Sequence, residues 1–331
     1  MLNKIFQSLK LTTRTKYATN AWSQTLKASK RCKSLRKHFS DQNQTNQSEP
    51  PQPPVMDEQY DVSKHTLLGR ILCFHDSQTN QMSYAIHQPA NSTIHLIDPL
   101  EIHTRDYLGF LDENELKIGS ILLTSKNEDF NNFYEDLKFL EEAFDEGFKV
   151  FGRFEGEDVV DGGKFEQKVD IKPWDDEDLC FCFLEYKGFD ETSSLLSVTH
   201  VTDSSTKIPL LFTGDLLRYG SIGDFIDPEE TIQDINLVKS FPQDSLFFPK
   251  VSDFAQNYDF VKKIDPNNQL IEAVKEYLEG SEEKVLLNGL IRQELFYNPY
   301  MRLETEYFKD ITNEAEIGKR LLKIRKFEES L

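Results

Sequence analysis

The side chains of this chain that could hold a metal ion are mostly carboxylates, because its histidines are few and unevenly placed. The seven histidines are His38, His65, His75, His87, His95, His103 and His200. A zinc ion that activates water at neutral pH is usually held by imidazole nitrogens together with carboxylates. Only His200 follows residue 103, and a lone histidine in strand-like sequence is expected to be structural. The sequence therefore predicts no histidine-rich metal centre in its last two thirds.

The charge of the chain is divided between a basic head and an acidic body. Residues 1–40 contain ten Lys or Arg and no Asp or Glu, within a 331-residue chain of net charge −19. The remainder holds 28 basic and 57 acidic residues, a net charge of −29. Affinity for nucleic acids depends largely on Lys and Arg contacts to phosphates. We therefore expect no nucleic-acid partner for the body and favour protein partners with basic surfaces.

The head has the composition of a mitochondrial targeting segment. Residues 1–40 combine apolar residues at helical spacing near the start with basic residues, Ser and Thr. The alternative is a basic tail that stays on the protein and lies on a surface, including peripheral contact with an anionic membrane. Residues 41–59 are rich in Pro and Gln and are predicted to form an extended linker. The sequence contains no apolar run of eighteen residues, so no membrane span is expected.

The body alternates between strand and helix patterns. Short apolar alternations predict strands at 71–74, 82–87, 93–97, 148–151, 179–186, 194–201 and 210–212. Helical spacing is predicted at 133–144, and beyond Asp227 the sequence is predicted to be mostly helical, including 269–278 and 314–329. Two sheets covered by helices on their outer faces give an α/β (α+β) fold, a four-layer αβ/βα sandwich with a C-terminal helical extension.

Several segments carry a resemblance to a known family. They are Leu96-Ile97-Asp98-Pro99, the loop after Leu123-Thr124, Leu211-Phe212-Thr213-Gly214-Asp215, and Asn257 through Tyr297-Asn298-Pro299-Tyr300-Met301-Arg302. The chain resembles glyoxalase II, the hydroxyacylglutathione hydrolase of the metallo-β-lactamase fold, over about residues 70–329. The resemblance implies a metallo-β-lactamase-like domain at 60–255 and a glyoxalase II-type helical region at 256–331.

The resemblance implies a metal site that has lost its imidazoles. The three histidines of the family's first loop fall on Ser125, Asn127 and Phe130, and the loop aspartate remains as Asp129. The next histidine falls on Trp174 or Asp175, depending on which neighbouring residue anchors the alignment. The bridging aspartate remains as Asp215, and the last histidine falls near Val251. The zinc or iron of the family is therefore predicted to be absent.

Asp129 and Asp215 are the two surviving carboxylates. Together they could hold a hard ion such as magnesium or calcium through oxygen ligands. We favour structural roles for both, with Asp129 capping the helix that follows it and Asp215 accepting from backbone amides at a strand end.

The positions that bind glutathione in the family are altered as well. The lysine and tyrosine after the bridging aspartate fall on Asp224 and Ile226. The tyrosine of the last loop falls on Asp253, whereas Asn257 matches the family asparagine. Because glutathione is anionic, a carboxylate in place of a lysine should weaken its binding.

The terminal basic pair of the family falls on Lys323 and Lys326. Two lysines near the end of a terminal helix also suit a solvated surface that opposes the helix dipole, and we favour that interpretation.

These residues predict a catalytically inactive protein with no catalytic residue. We expect an accessory or scaffold subunit of a mitochondrial multiprotein assembly on the matrix side, with an inner-membrane respiratory-chain complex as the first candidate. One alternative is a metal-dependent thioester hydrolase that kept activity with unusual ligands. The other is a sensor that binds a small thioester or anion without hydrolysing it.

Overall fold

The computed structural model describes residues 67, 70–125, 149–152, 179–190, 192–200, 208–272, 275 and 289–331. The first sheet contains β1 Ile71–His75, β2 Met82–Gln88, β3 Thr93–Ile97, β4 Lys117–Leu122 and β5 Lys149–Phe151. The second sheet contains β6 Leu179–Glu185, β7 Ser194–His200, β8 Leu210–Gly214, β11 Leu246–Pro249 and β12 Gly289–Leu290. A two-stranded ribbon is formed by β9 Leu217–Arg218 and β10 Ser221–Ile222.

The helices lie between and after these strands. They are α1 Thr104–Asn114, α2 Pro228–Lys239, α3 Phe254–Ile264, α4 Ile291–Tyr297, α5 Glu306–Thr312 and α6 Ile317–Glu328. Short 3-10 turns occur at Pro89–Asn91, Glu101–His103 and Tyr300–Arg302. Helix α2 begins with Pro228, and its N-cap Asp227 accepts from the backbone N–H groups of Glu229 and Glu230.

Both sheets mix antiparallel and parallel pairs. The order of the first sheet is β1-β2-β3-β4-β5, in which β3, β4 and β5 run parallel. The order of the second is β12-β11-β8-β7-β6, in which β8 and β11 run parallel. Parallel neighbours bring their carboxyl ends to the same sheet edge, which is where ligand sites of such sheets usually form.

Three apolar cores separate four layers. The central core joins the facing sides of the two sheets, where Tyr84 of β2 meets Phe212 of β8 and Phe248 of β11. The ring of Tyr84 lies edge-on to both phenylalanines, at centroid distances of 5.3 and 5.4 Å. The other two cores lie on the outer sides of the sheets. One packs the first sheet against α1, and the other packs the second sheet against the later helices.

The α4 region is anchored by a fully buried carboxylate. Glu294 accepts hydrogen bonds from the Tyr297 hydroxyl, from Asn298 Nδ2 at 2.8 Å and from the backbone N–H of Gly220 at 3.1 Å. All three donors are electrically neutral, so burial dominates and raises the pKa of Glu294 to about 7. The same Asn298 amide donates to the carbonyl of Ser221 at 3.0 Å. Glu294 and Asn298 thereby join α4 to the β9–β10 ribbon.

The terminal helix is joined to the same ribbon by Arg325 and Glu328. Arg325 Nη2 donates to the carbonyls of Ile222 at 3.1 Å and Gly223 at 2.5 Å. Glu328 accepts from Arg325 at 3.0 Å and from the Tyr300 hydroxyl at 2.5 Å. The terminal helix is therefore held to the ribbon by partly buried polar contacts as well as by its apolar side.

The predicted fold class is confirmed, and most described strands agree within two residues of their predicted ends. The described residues beyond Asp227 are mostly helical, as expected, and the short strands β11 and β12 extend the second sheet between these helices. The predicted helix at 133–144 lies outside the described residues, and 269–272 are helical as expected. None of the helices in the described part of the chain is long and apolar enough to cross a membrane.

Candidate functional site

Four polar residues meet where four strands end. Asp98 follows β3, Ser125 lies three residues after β4, Asp215 follows β8 and Lys250 follows β11. The register of the parallel pair places Gly214 beside Pro249, so Asp215 and Lys250 leave the sheet side by side. This carboxyl-end edge is where the sequence placed the altered metal site.

Gly214 allows the close approach at this edge. Its φ of +54° lies in the left-handed region, which favours glycine. A Cβ atom at this position would lie 2.8 Å from Thr124 Oγ1 and 3.2 Å from the carbonyl oxygen of Ser194. The loop after β4 is tied to the second sheet here, because the Ser194 N–H donates to the Thr124 carbonyl at 2.7 Å.

Asp98 is a buried carboxylate that organises the loop after β4. Its oxygens accept from the Thr124 N–H at 2.8 Å and from Thr124 Oγ1 at 2.6 Å. Its φ of +45° is rare for a residue with a side chain, and the two hydrogen bonds hold it there. Burial raises the pKa of Asp98, and the positive charge of Lys250 and the Thr124 hydrogen bonds act in the opposite direction.

Lys250 supplies the positive charge of the edge. Its Nζ donates to Ser125 Oγ at 2.5 Å and lies 3.8 Å from Asp215 Oδ2. The Lys250 side chain is 9% exposed and that of Asp215 is 28% exposed, so the pair is only partly screened by solvent. Ser125 is buried, so its hydroxyl is committed to this contact.

The residues at this edge do not fit the metal centre of the family. Ser125 stands at a histidine position and accepts from an ammonium group, and Val251 stands near the last one and has no ligand atom in its side chain. An ammonium group has no lone pair to offer a metal while it is charged. Across the described ranges, no group of three or more His, Cys, Asp or Glu side chains could hold a metal ion. Asn127, Asp129, Phe130, Trp174 and Asp175 lie outside those ranges.

The partner of the Asp215 carboxylate differs from the one that the sequence predicts. The prediction is a backbone amide at the strand end. Its nearby partner is instead the Lys250 ammonium, and its backbone carbonyl accepts from the Gly223 N–H at 3.0 Å.

Two of the predicted substrate positions lie on the surface. The Asp224 side chain is 97% exposed, and its carboxylate lies 3.8 Å from Arg325 Nη1. Ile226 is 74% exposed. A carboxylate and an aliphatic side chain therefore stand in the solvent where the family binds an anionic tripeptide.

The other two positions share a buried network. Asp253 accepts from Arg218 Nη1 at 3.4 Å and from Asn257 Nδ2 at 2.9 Å. Asn257 also donates to the Tyr219 carbonyl at 2.9 Å. Burial raises the pKa of Asp253, and the Arg218 guanidinium acts against that shift. Asn257 thus ties α3 to the β9–β10 ribbon, and Arg218 is paired with protein.

The two terminal lysines have different surroundings. Lys323 Nζ donates to the carbonyl of Thr312 at the carboxyl end of α5, and its side chain is 52% exposed. Lys326 is exposed in the last turn of α6. A cation at a helix carboxyl end is a common stabilising arrangement, so Lys323 has a structural role in α5.

Sequence reasoning missed Lys250, Arg218 and Arg325. Lys250 directly follows a buried apolar strand, and a charged residue at that place is the one signal that could have drawn attention to it. Each of the three cations lies near a carboxylate, namely Asp215, Asp253 and Asp224 respectively. The three cations, at the edge, in the ribbon and in α6, therefore each lie near a carboxylate of the protein itself.

The helical C-terminal part of the chain matches a known family in sequence. Residues 254–329 match the family model described as the hydroxyacylglutathione hydrolase C-terminus. The hydroxyacylglutathione hydrolase-like protein of Gallus gallus is 28% identical over 122 residues, which are 34% of this chain and 42% of that protein. The match thus spans less than half of that relative.

A solved structure shares this architecture. A metallo-β-lactamase from Staphylococcus aureus subsp. aureus COL superposes with a TM-score of 0.51 at 16% identity, covering 78% of this chain and 66% of that one. ETHE1 from Myxococcus xanthus gives a TM-score of 0.47 at 16% identity, covering 78% and 97%. Residues 254–329 are thus similar to the C-terminal part of hydroxyacylglutathione hydrolases, and the chain shares the fold of a solved metallo-β-lactamase.

Proposed function

We propose that this protein is a catalytically inactive glyoxalase II-like subunit that serves as an accessory or scaffold component of a mitochondrial multiprotein assembly. The observation that carries the loss of catalysis is Ser125 at a metal-ligand position, buried and hydrogen-bonded to the Lys250 ammonium. Activation of water in this fold requires a metal that lowers the pKa of its bound water. A serine hydroxyl that faces an ammonium group provides no such site.

The residues at the predicted substrate positions also support a loss of catalysis. The positions matched to the family's glutathione contacts now include Asp224 and Asp253, and both lie near cations of the protein itself. A free anionic thioester would have to compete with these carboxylates for Arg325 and Arg218. Binding of glutathione thioesters should therefore be weak.

The scaffold role is supported by the distribution of charge along the chain. The body is strongly acidic, and residues 1–40 are basic and free of acidic residues. An acidic body suits protein partners with basic surfaces, and a basic head suits import into mitochondria or contact with an anionic membrane. We place the protein on the matrix side of the inner membrane, with a respiratory-chain complex as the first candidate assembly.

The proposal is tested by purification of the tagged full-length protein from isolated mitochondria under native conditions. We expect it to migrate with other protein subunits at a mass far above its own 38.5 kDa. Migration as a free monomer would refute the scaffold role.

Loss of catalysis is tested separately on purified protein. We expect no turnover of S-lactoylglutathione above the uncatalysed rate and substoichiometric zinc and iron by elemental analysis. Turnover together with about two metal equivalents per chain would favour the alternative, a hydrolase with unusual ligands.

A further inference from the structure

We propose that the Lys250 ammonium is a built-in cation that takes the place of the metal of this fold, balancing Asp215 and Asp98 and keeping divalent ions out. This inference goes beyond the proposed function, since a resident ammonium would suit a protein with any role that needs no metal.

The backbone fixes the position of Lys250. The Lys250 N–H donates to the Gly214 carbonyl at 3.3 Å, and its own carbonyl accepts from the Met82 N–H at 2.7 Å. Lys250 is thus held between the second sheet and the start of β2 in the first. Its side chain then needs only to extend along the edge to reach Ser125 and Asp215.

The charges at the edge require a cation. Asp98 is fully buried, and its two oxygens have neutral donors from Thr124. Asp215 lies near enough to act on Asp98 as a like charge, and Lys250 acts on it as the opposite charge. A buried carboxylate without a counter-charge is strongly unfavourable, so removal of the ammonium would leave two carboxylates unbalanced.

The same contact excludes a metal. A divalent ion bound to Asp215 would lie close to an ammonium that is itself 3.8 Å from that carboxylate, and two cations at such a distance repel strongly where solvent is sparse. Ser125 Oγ already accepts from Lys250 at 2.5 Å, so a metal coordinated by this oxygen would also lie close to the ammonium. The position of the ammonium therefore disfavours a divalent ion at Asp215 and Ser125.

Ser125 and Lys250 also match in type the serine–lysine pairs that some hydrolases use to activate a nucleophile. Ser125 is only 2% exposed, which leaves its hydroxyl without access to a substrate. The geometry therefore favours a charge-balancing role over a nucleophilic one.

The test uses the full-length protein with Lys250→Gln, Lys250→Arg, and the double variant Lys250→Gln/Asp215→Asn. The control is Lys319→Gln, which removes an exposed lysine paired with Glu316 at 2.9 Å. Thermal unfolding is measured near neutral pH with and without about 1 mM calcium or manganese chloride, a concentration at which weak oxygen sites fill.

We expect Lys250→Gln to lower Tm by about 5–10 °C, because it leaves partly buried carboxylates unpaired. Lys319→Gln should change Tm by less than about 2 °C. Lys250→Arg should retain most of the stability, and the added Asp215→Asn should recover part of the loss in the Gln variant. Calcium or manganese should raise the Tm of Lys250→Gln only, and the double variant should lose that response.

Three results would overturn the inference. The first is a metal-dependent rise in Tm or stoichiometric metal in the wild-type protein. The second is a loss in Lys250→Gln no greater than that of the control. The third is further destabilisation when Asp215→Asn is added. If Lys250→Gln does not fold, the double variant and the wild-type titration still decide the question, because the double variant lacks both charges of the pair.

Discussion

Two buried carboxylates, Asp98 at the altered metal edge and Glu294 in the helical extension, are accommodated by different means. Asp98 interacts electrostatically with the Lys250 ammonium. Glu294 instead accepts hydrogen bonds from the neutral donors Tyr297, Asn298 and Gly220. Burial raises the pKa of both, but at Asp98 a cation opposes the shift. The comparison teaches that the buried carboxylate at the edge that resembles a catalytic site is opposed by a cation, whereas the buried carboxylate of the extension is held by neutral hydrogen-bond donors.

The largest expected loss of stability comes from removing hydrogen bonds around Glu294. Asn298→Ala removes donors to Glu294 and to the Ser221 carbonyl, and it removes the acceptor of the Tyr300 N–H at 3.0 Å. Buried polar groups left unsatisfied cost about 1–3 kcal/mol each, so we expect a total loss of about 4 kcal/mol in the free energy of unfolding. Chemical denaturation measures it. Asn114→Ala, on an exposed contact to Phe110, should cost less than about 1 kcal/mol, and equal losses in the two variants would contradict the prediction.

The pH dependence of Glu294 is the next largest effect. Its pKa in the folded state is raised to about 7 from 4.5, so its contribution to stability is present below pH 4.5 and is lost as pH rises through 7. That difference corresponds to about 3 kcal/mol in all, of which about 2 kcal/mol falls between roughly pH 5.5 and 8.5.

Glu294→Gln sharpens this test, because its carbonyl can accept from both nitrogen donors and its amide can donate to the Tyr297 hydroxyl. We expect the stability of the variant, relative to wild type, to increase by about 2 kcal/mol between the two pH values. Denaturant titrations at both pH values measure the difference. Parallel pH profiles for the two proteins would show that Glu294 does not titrate in this range.

Gly214→Ala tests the charged edge by changing the backbone next to Asp215. A methyl group would lie 2.8 Å from Thr124 Oγ1 at a residue with φ of +54°, so the loop that presents Ser125 to Lys250 must shift. We expect a loss of about 2 kcal/mol in the free energy of unfolding, from the left-handed backbone and the close contact. Gly109→Ala, where the added methyl meets nothing within 4 Å and lies in a helix, is the matched control and should be neutral or slightly stabilising.

The smallest expected effect concerns the terminal lysines. Lys323→Ala removes a cation at the end of α5 and should cost about 0.5 kcal/mol, and Lys326→Ala should cost less. Neither variant should change binding of S-lactoylglutathione, measured by calorimetry, because the proposed function requires no such site. Measurable binding to wild type that both variants abolish would contradict this interpretation.

Four strands of the first sheet, β1, β2, β3 and β5, could be predicted from their apolar patterns, but β4 at Lys117–Leu122 was not predicted. Strand β11 could not, because Leu246–Pro249 is a run of four apolar residues in which Phe247 and Phe248 are both buried, and such a short run has no period. Ser125 and Asp215 could be placed through the segments that frame them. Lys250 could not, because its contact with Ser125 joins residues 125 positions apart and leaves no local pattern.

Lys250 also changes what the protein needs in order to mature. A bound ion must be acquired from the surrounding pool, and it can be withdrawn by a chelator or exchanged for a competitor. An ammonium group at the end of β11 is made with the polypeptide, is always present in a ratio of one per chain, and cannot dissociate. Completion of this edge therefore depends on translation and folding alone, whatever the supply of zinc or iron in the compartment where the protein works.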